Sequence, residues 1–226
     1  MPAVITNEMV FAALPPRPPE SHKGAYGRVL AVCGCPAYRG AAALSVLGAL
    51  RAGAGVVTLA AGESVIQSIA ARVLEATFLP LPDESALASM AETATVCLAG
   101  CGREADETTA REMKLLLERT RGTVVLDAGG LCSLAAEKQA MRPAAGRLYE
   151  NRTGNAGLAR GGSGDVLAGM IAGLAAQGLA PAQAAVCGVY LHGLAADRCA
   201  ARLSQQGMLP EDILADLCAL YLENGR

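Results

Sequence analysis

The segment Asn155-Ala156-Gly157-Leu158-Ala159-Arg160-Gly161-Gly162-Ser163-Gly164-Asp165 carries the densest chemistry in the chain. Its glycines permit main-chain conformations closed to other residues and let a ligand approach the bare backbone. The apolar run behind them predicts a helix over residues 165–177. A helix start offers unpaired N–H donors and about half a positive charge, so the loop reads as an anion cradle suited to phosphate. Ser163 adds an amide and a hydroxyl to that cradle. Asp165 brings chemistry to it, because a carboxylate beside a phosphate repels it unless its task is to deprotonate a hydroxyl that attacks the phosphate. The structural alternative is that Asp165 only favours the first helical turn, where an acidic side chain gains about 0.3 to 1 kcal/mol.

Other clusters compete with this one. Gly100-Cys101-Gly102-Arg103-Glu104-Ala105 lies between an expected strand and an expected helix and matches the dinucleotide fingerprint, with Asp127 placed to hold a ribose. Glu104 stands where a pyrophosphate would sit, which counts against that reading. No G-x-x-x-x-G-K-[ST] sequence exists, which excludes an ordinary P-loop. The loop also misses the G-x-S-x-G elbow because Asp165 takes the last glycine's place, so Ser163 is a poor nucleophile. His22 and His192 are the two histidines available as a base, and His192 falls in an apolar helical stretch and reads as structural. Ser21-His22-Lys23-Gly24 either brings Lys23 or His22 near a phosphate or forms an ordinary polar turn. The eight cysteines lie mostly inside apolar runs with no C-x-x-C pair, and Cys33 and Cys35 lack partner ligands, so no metal site is expected.

These residues need a scaffold. With 226 residues, 52% of them hydrophobic but only 3% aromatic and no Trp, the chain must build its core from Ala, Val, Leu and Ile. That favours parallel strands under helices in one α/β domain spanning residues 1–226, with residues 1–20 as an extended, proline-ended lead-in. A net charge of −2 with interspersed signs gives no stripe for nucleic acid and no polybasic membrane patch, and points to a small-molecule substrate. No secretory leader or spanning apolar run is visible, so a reducing cytoplasm is expected. Strands are expected at 28–33, 56–60, 95–99, 123–127 and 147–150. Helices are expected at 41–52, 64–72, 106–119, 131–138, 165–177, 181–203 and 210–222. This alternation predicts a mostly parallel sheet flanked by helices on both faces, with loops 34–40, 100–106, 128–130 and 161–165 gathered at the carboxyl ends of the strands.

Several of these segments, in order, resemble the ADP/ATP-dependent NAD(P)H-hydrate dehydratases. They are His22-Lys23-Gly24, Tyr38-Arg39-Gly40-Ala41-Ala42, Arg51-Ala52-Gly53-Ala54-Gly55, Val125-Leu126-Asp127-Ala128, Thr153-Gly154-Asn155 through Gly169, and Tyr190-Leu191-His192-Gly193. The resemblance implies a ribokinase-like fold and repair of hydrated nicotinamide cofactors, (6S)-NADHX or (6S)-NADPHX, with ADP or ATP as co-substrate and Mg²⁺. It implies that Asp165 deprotonates the hydrate hydroxyl while the amides of Gly162 to Gly164 hold the transferring phosphoryl group, after which phosphate leaves. Ala41, Gly102 and Asp165 would contact the hydrated cofactor, and Asn155, Gly162, Ser163 and Gly164 the nucleotide. A homo-oligomer, commonly a tetramer, is implied as well.

The chain departs from that family's pattern in two places. The T/N-P-H-P-G-E and K-G-x-x-T segments expected before the glycine loop are absent, leaving residues 131–145 to fill the space, so a strand and a pocket wall are expected to be missing. The usual G-P-G-L-G reads Gly100-Cys101-Gly102-Arg103-Glu104, which is expected to put bulky or acidic groups near the phosphates. Two alternatives follow: a catalytically impaired relic of the fold that binds nucleotide or acts as an oligomeric scaffold, and a ribokinase-like small-molecule kinase that stops at phosphoryl transfer.

Overall fold

In the computed structural model, which describes residues 2–136 and 147–226, a strand β1 (Ala3–Val4) and a helix α1 (Asn7–Ala13) lead into a run of strand–helix units. These are β2 (Arg28–Val32), α2 (Arg39–Ala52), β3 (Val56–Gly62), α3 (Glu63–Ile69), β4 (Thr77–Leu81), α4 (Glu84–Thr93), β5 (Val96–Ala99), α5 (Glu107–Arg119), β6 (Thr123–Leu126) and α6 (Ala128–Ala136). A short strand β7 (Tyr149–Glu150) precedes the glycine loop, followed by helices α7 (Ser163–Ala176), α8 (Pro181–Leu203) and α9 (Ile213–Glu223).

Strands β2 to β6 form one parallel sheet in the order β4-β3-β2-β5-β6. The chain runs outward from β2 through β3 to β4, then crosses to the other side of β2 for β5 and β6. The crevice beyond the carboxyl ends of β2 and β5 is therefore the topological switch point, where ligands of such sheets bind. Alternation along the strands sorts two cores. Val29, Ala31, Val57, Leu59, Val96 and Leu98 belong to the core covered by α2 and α7, with α8 and α9 packed behind those helices, while Leu30, Val32, Ala60, Cys97 and Ala99 share a core with Leu87, Ala91, Met113, Leu116 and Leu134 of α4, α5 and α6. Helices thus cover both faces, as the sequence pattern requires.

The α2–α7 pair is the tightest helix contact in the fold. A Cβ on Gly48 would stand 2.6 Å from the Val166 carbonyl oxygen, one on Gly169 2.1 Å from that of Ser45, and one on Gly173 2.4 Å from that of Ala49. These glycines are there because the two backbones touch.

The lead-in is not wholly extended as expected. The Thr6 hydroxyl accepts from the Met9 amide at 3.3 Å and caps α1, whose Val10 and Phe11 are buried against α8. β1 pairs with β7, tying the lead-in to the strand before the glycine loop. The prolines act only after residue 13. Two further elements escape the sequence reading. β4 carries Pro80, which only an edge strand tolerates, and β4 is an edge. α4 is opened by Asp83, whose carboxylate accepts from the Ala86 amide at 2.9 Å. The helix expected at 131–138 begins earlier, at Ala128, and its last two residues lie outside the described ones, as do most of residues 131–145. The last helix begins at Ile213 rather than at Pro210, which sits in the preceding turn. Among the described residues no helix is long and apolar enough to cross a membrane.

Candidate active site

The glycine loop is shaped by its own backbone and by one carboxylate on α8. Asn155 caps a 3₁₀ turn, Ala156–Leu158, by accepting from the Gly157 amide at 2.9 Å. Its Nδ2 donates to Asp197 Oδ1 at 2.9 Å, and the Gly154 amide donates to Asp197 Oδ2 at 2.9 Å. The Thr153 hydroxyl donates to the Tyr190 carbonyl at 2.9 Å. Asn155, expected at the nucleotide, therefore has its side chain engaged in holding the loop. Asp197 is the residue the sequence reading missed here, since nothing about its spacing inside a long helix points to the loop.

Gly162 then turns the chain into α7. Its φ of +100° lies in the left-handed region, and a Cβ there would stand 2.6 Å from Leu44 Cδ1. Ser163 tucks beneath this turn: it is buried, and its amide donates to the Arg160 carbonyl at 3.3 Å. With the Ser163 amide so engaged, the main-chain donors left open are its two successors. The amides of Gly164 and Asp165 have no acceptor among the described residues, and the space in front of Gly161 and Gly164 is open. The helix start is thus a shelf of free donors with room above it, and the positive end of the α7 dipole adds to its attraction for anions.

Asp165 stands in the first turn of α7 and is half buried. Its carboxylate shares a small space with Cys101 Sγ and the Asp127 carboxylate, one atom from each lying within 4.8 Å of the others. Cys101 donates to Asp127 Oδ2 at 3.5 Å. Burial, and then the charge of Asp127, push the Asp165 carboxyl above its usual pKa, and the Cys101 thiol partly offsets this. A carboxylate raised this way is a better proton acceptor than one in water. Two acids and a thiol converge here, brought together because β5 and β6 are neighbours and end level, with Ala99 opposite Leu126.

Ala41 and Gly102 meet on the same side of the site. Gly102 has φ +61°, and a Cβ on it would stand 2.5 Å from that of Ala41 and 2.9 Å from the Tyr38 carbonyl oxygen. The two altered residues after Gly102 do not crowd the loop as expected. Arg103 pairs with the buried Glu112 and donates to the Gly34 carbonyl at 3.3 Å, drawing its charge into α5, while Glu104 faces solvent. The Arg103 amide closes a turn onto Gly100, and α5 starts only at Glu107 under the Asp106 cap. Gly100 to Ala105 is therefore no dinucleotide turn opening a helix, and Asp127 faces Cys101 rather than a ribose site.

The histidines fall out of the chemistry. His192 is buried and faces the main chain of Ser163, and burial pushes its pKa down to about 4. His22 and Lys23 begin a 3₁₀ turn at the amino end of β2, a strand's length from the carboxyl ends where Asp165 lies. Neither approaches the glycine loop.

Comparisons with known proteins agree with this arrangement. A family model described as NAD(P)H-hydrate dehydratase matches residues 29–146 and 138–218. A bifunctional NAD(P)H-hydrate repair enzyme of Moorella thermoacetica is 34% identical over 98% of this chain and 54% of its own length. The ADP-dependent (S)-NAD(P)H-hydrate dehydratase of Bacillus subtilis is 30% identical over 85% of this chain and 88% of its own. The chain spans about half the length of the bifunctional relatives it matches. Among solved structures, a ribokinase-like superfamily protein of Enterococcus faecalis superposes with a TM-score of 0.87 at 23% identity, covering 98% of this chain and 96% of that one. The ADP/ATP-dependent NAD(P)H-hydrate dehydratase from Bacillus subtilis, co-crystallised with ATP/Mg²⁺, superposes with a TM-score of 0.82 at 26% identity over 99% of both chains. The fold is ribokinase-like, and by the extent of the family match the chain belongs to the NAD(P)H-hydrate dehydratases.

Proposed function

We propose that this chain dehydrates (6S)-NADHX or (6S)-NADPHX to the reduced cofactor, using ADP or ATP to phosphorylate the hydrate hydroxyl before phosphate leaves. The observation that carries the reading is the position of Asp165. A carboxylate with raised proton affinity stands at the mouth of α7, beside the free amides of Gly164 and Asp165 and close to the Asp127 and Cys101 groups.

In this reading the Gly164 and Asp165 amides hold the transferring phosphoryl group, with Gly162 setting the turn that exposes them. The Asp165 carboxylate takes the proton from the hydrate hydroxyl as oxygen attacks the terminal phosphorus and the bond to the departing AMP or ADP breaks. Ala41 and Gly102 form a wall for the hydrated ring, small enough for close approach. Electron donation from the ring nitrogen then expels phosphate, and loss of a proton from the adjacent ring carbon to solvent restores the carbon–carbon double bond. Asn155 and Ser163 support the nucleotide through the loop's shape. The donor set suits a hard divalent cation: the carboxylate oxygens of Asp127 and Asp165 are ligands of the kind Mg²⁺ takes, whereas the Cys101 sulfur is not. Mg²⁺ bound there would offset phosphoryl charge, and Asp127 is the better ligand because it leaves Asp165 free for the proton.

The reading extends to a homo-oligomer, a tetramer as in the family pattern, working in the cytoplasm. The oligomer rests on the family resemblance, and the compartment is supported by eight cysteines that are all unpaired thiols.

The test is to incubate the purified protein with (6S)-NADHX or (6S)-NADPHX, Mg²⁺ and ADP or ATP, following reduced-cofactor absorbance and phosphate release. Recovery of NADH or NADPH with matching phosphate is the expected result. Nucleotide turnover without it identifies a kinase instead. Inactivity with no thermal shift from nucleotide identifies a relic.

A further inference from the structure

A cleft of about 610 Å³ lies at the far end of the α2–α7 pair. It is lined by Leu14, Pro15, Pro16 and Pro18 of the lead-in, Leu50 to Gly53 at the end of α2, Leu174 and Gln177 at the end of α7, and Cys218 and Tyr221 of α9. Since α7 starts at the glycine loop and ends here, the two places are separated by the length of that helix, about 20 Å at 1.5 Å per residue. The packed helices stand between them. A molecule seated in the cleft is not the one reacting at Asp165.

The charge of the cleft is one-sided. Among side chains, Arg17, Arg51 and Arg226 line it and no Asp or Glu does, although acids outnumber Lys plus Arg in the chain by 21 to 19. Seven other arginines, 72, 103, 111, 119, 152, 198 and 202, are ion-paired, whereas none of these three meets a carboxylate among the described residues. Two of the three have structural duties. Arg17 donates to the Gly53 carbonyl and stacks on Tyr26 at 4.0 Å from the ring centroid, and Arg226 donates to the Phe11 carbonyl. Arg51 has none of comparable strength: its contact is the Cys218 sulfur at 3.8 Å, a weak acceptor. The Tyr221 ring, three prolines and three leucines supply an apolar floor. The volume is that of a small-molecule site, and apolar walls with a few convergent polar groups are the usual make-up of one.

We propose that this cleft binds a small amphipathic anion, a phosphate or carboxylate carried on an aromatic or apolar body. The guanidiniums take the anionic group, Arg51 first because it is the least committed, and the body lies between the lead-in prolines and Tyr221. The proposal is independent of the chemistry at Asp165.

Two probes test it, 1-naphthyl phosphate and 1-naphthoate, titrated by fluorescence into the full chain beside 1-naphthol and inorganic phosphate. At least one of the two probes is expected to bind saturably, at least tenfold tighter than both controls, and the pair reports which anion is preferred. Arg51→Glu is expected to weaken that binding at least tenfold and Arg51→Gln by less, with thermal midpoints close to that of the parent protein. Bound probe is also expected to slow iodoacetamide labelling of Cys218 while leaving that of exposed Cys132 unchanged. No saturable binding overturns the proposal. So does binding that Arg51→Glu leaves intact, because the probe then sits elsewhere, including at the glycine loop. An unprotected Cys218 overturns it too, as does sedimentation showing that a second copy of the chain fills the cleft.

Discussion

Asp127 follows the last residue of β6 and Asp165 stands in the first turn of α7, yet their carboxylates come within 4.8 Å of each other with the Cys101 thiol beside them. Two acids so placed cannot both ionise freely, and burial together with the Asp127 charge raises the Asp165 pKa. In the proposed mechanism that is the base. Asp165→Asn should lower turnover about 10²- to 10⁴-fold while leaving nucleotide affinity nearly unchanged, read by steady-state kinetics and nucleotide titration. Full activity in that variant removes Asp165 from the mechanism.

Asp127→Asn tests the pairing itself. The Asp127 charge raises the Asp165 pKa, so in the metal-free protein removing it lowers that pKa, and the titration of the Asp165 carboxyl followed by NMR should move to lower pH. Burial is the larger cause and remains, so the titration should stay above the range of a solvent-exposed carboxylate. A titration that moves upward contradicts this assignment.

The contact between Ala41 and Gly102 leaves no room for a side chain. Gly102→Val places a β-branched residue at φ +61° with its Cβ 2.5 Å from that of Ala41. The expected results are a KM for the hydrate at least about tenfold higher, unchanged nucleotide affinity, and about 1 to 3 kcal/mol less stability from the strained backbone.

Asp197 receives both the Gly154 amide and Asn155 Nδ2, so it sets the approach to the glycine loop from a helix that the ligand need not touch. Asp197→Ala should raise the KM for nucleotide about tenfold, with a smaller change in kcat, because a loosened loop must be ordered on binding. Equal loss in Asp165-independent stability and no change in nucleotide KM would assign Asp197 to folding alone.

His192 predicts an acid limit to stability. Its pKa of about 4 in the fold lies below the ordinary 6.5, so the unfolded chain binds the extra proton between these values. The contribution is complete above about pH 6.5 and is lost as pH falls toward 4. The span is worth about 3 kcal/mol at most. Chemical unfolding from pH 7 to pH 4 should show the parent protein losing stability more steeply than His192→Gln. Parallel curves would contradict the burial of a neutral imidazole.

Legibility differed by element for physical reasons. β2, β3 and β5 are inner strands buried on both faces, so their short runs of Val, Leu and Ala stand out in any window. β4 is an edge strand with Pro80, and its weak pattern hides among turn residues. The glycine loop and Asp165 were readable because a helix start needs consecutive residues. The gathering of loops 100–106, 128–130 and 161–165 was readable from the strand–helix alternation. The meeting of the Cys101 and Asp127 side chains with Asp165 was not, since contact across parallel strands separates residues by a whole strand–helix unit. Arg103 was misjudged because the loop sequence does not reveal that Glu112, along α5, will draw it away.

The bare backbone seam formed by Gly48, Gly169 and Gly173 has a consequence for motion. Helices interlocked at van der Waals distance neither slide nor hinge separately, so the donors at the head of α7 and Ala41 at the head of α2 travel as a single block. Gly102, packed against Ala41, is tied to the same block, so a nucleotide arriving at the glycine loop meets a floor that does not adjust to it.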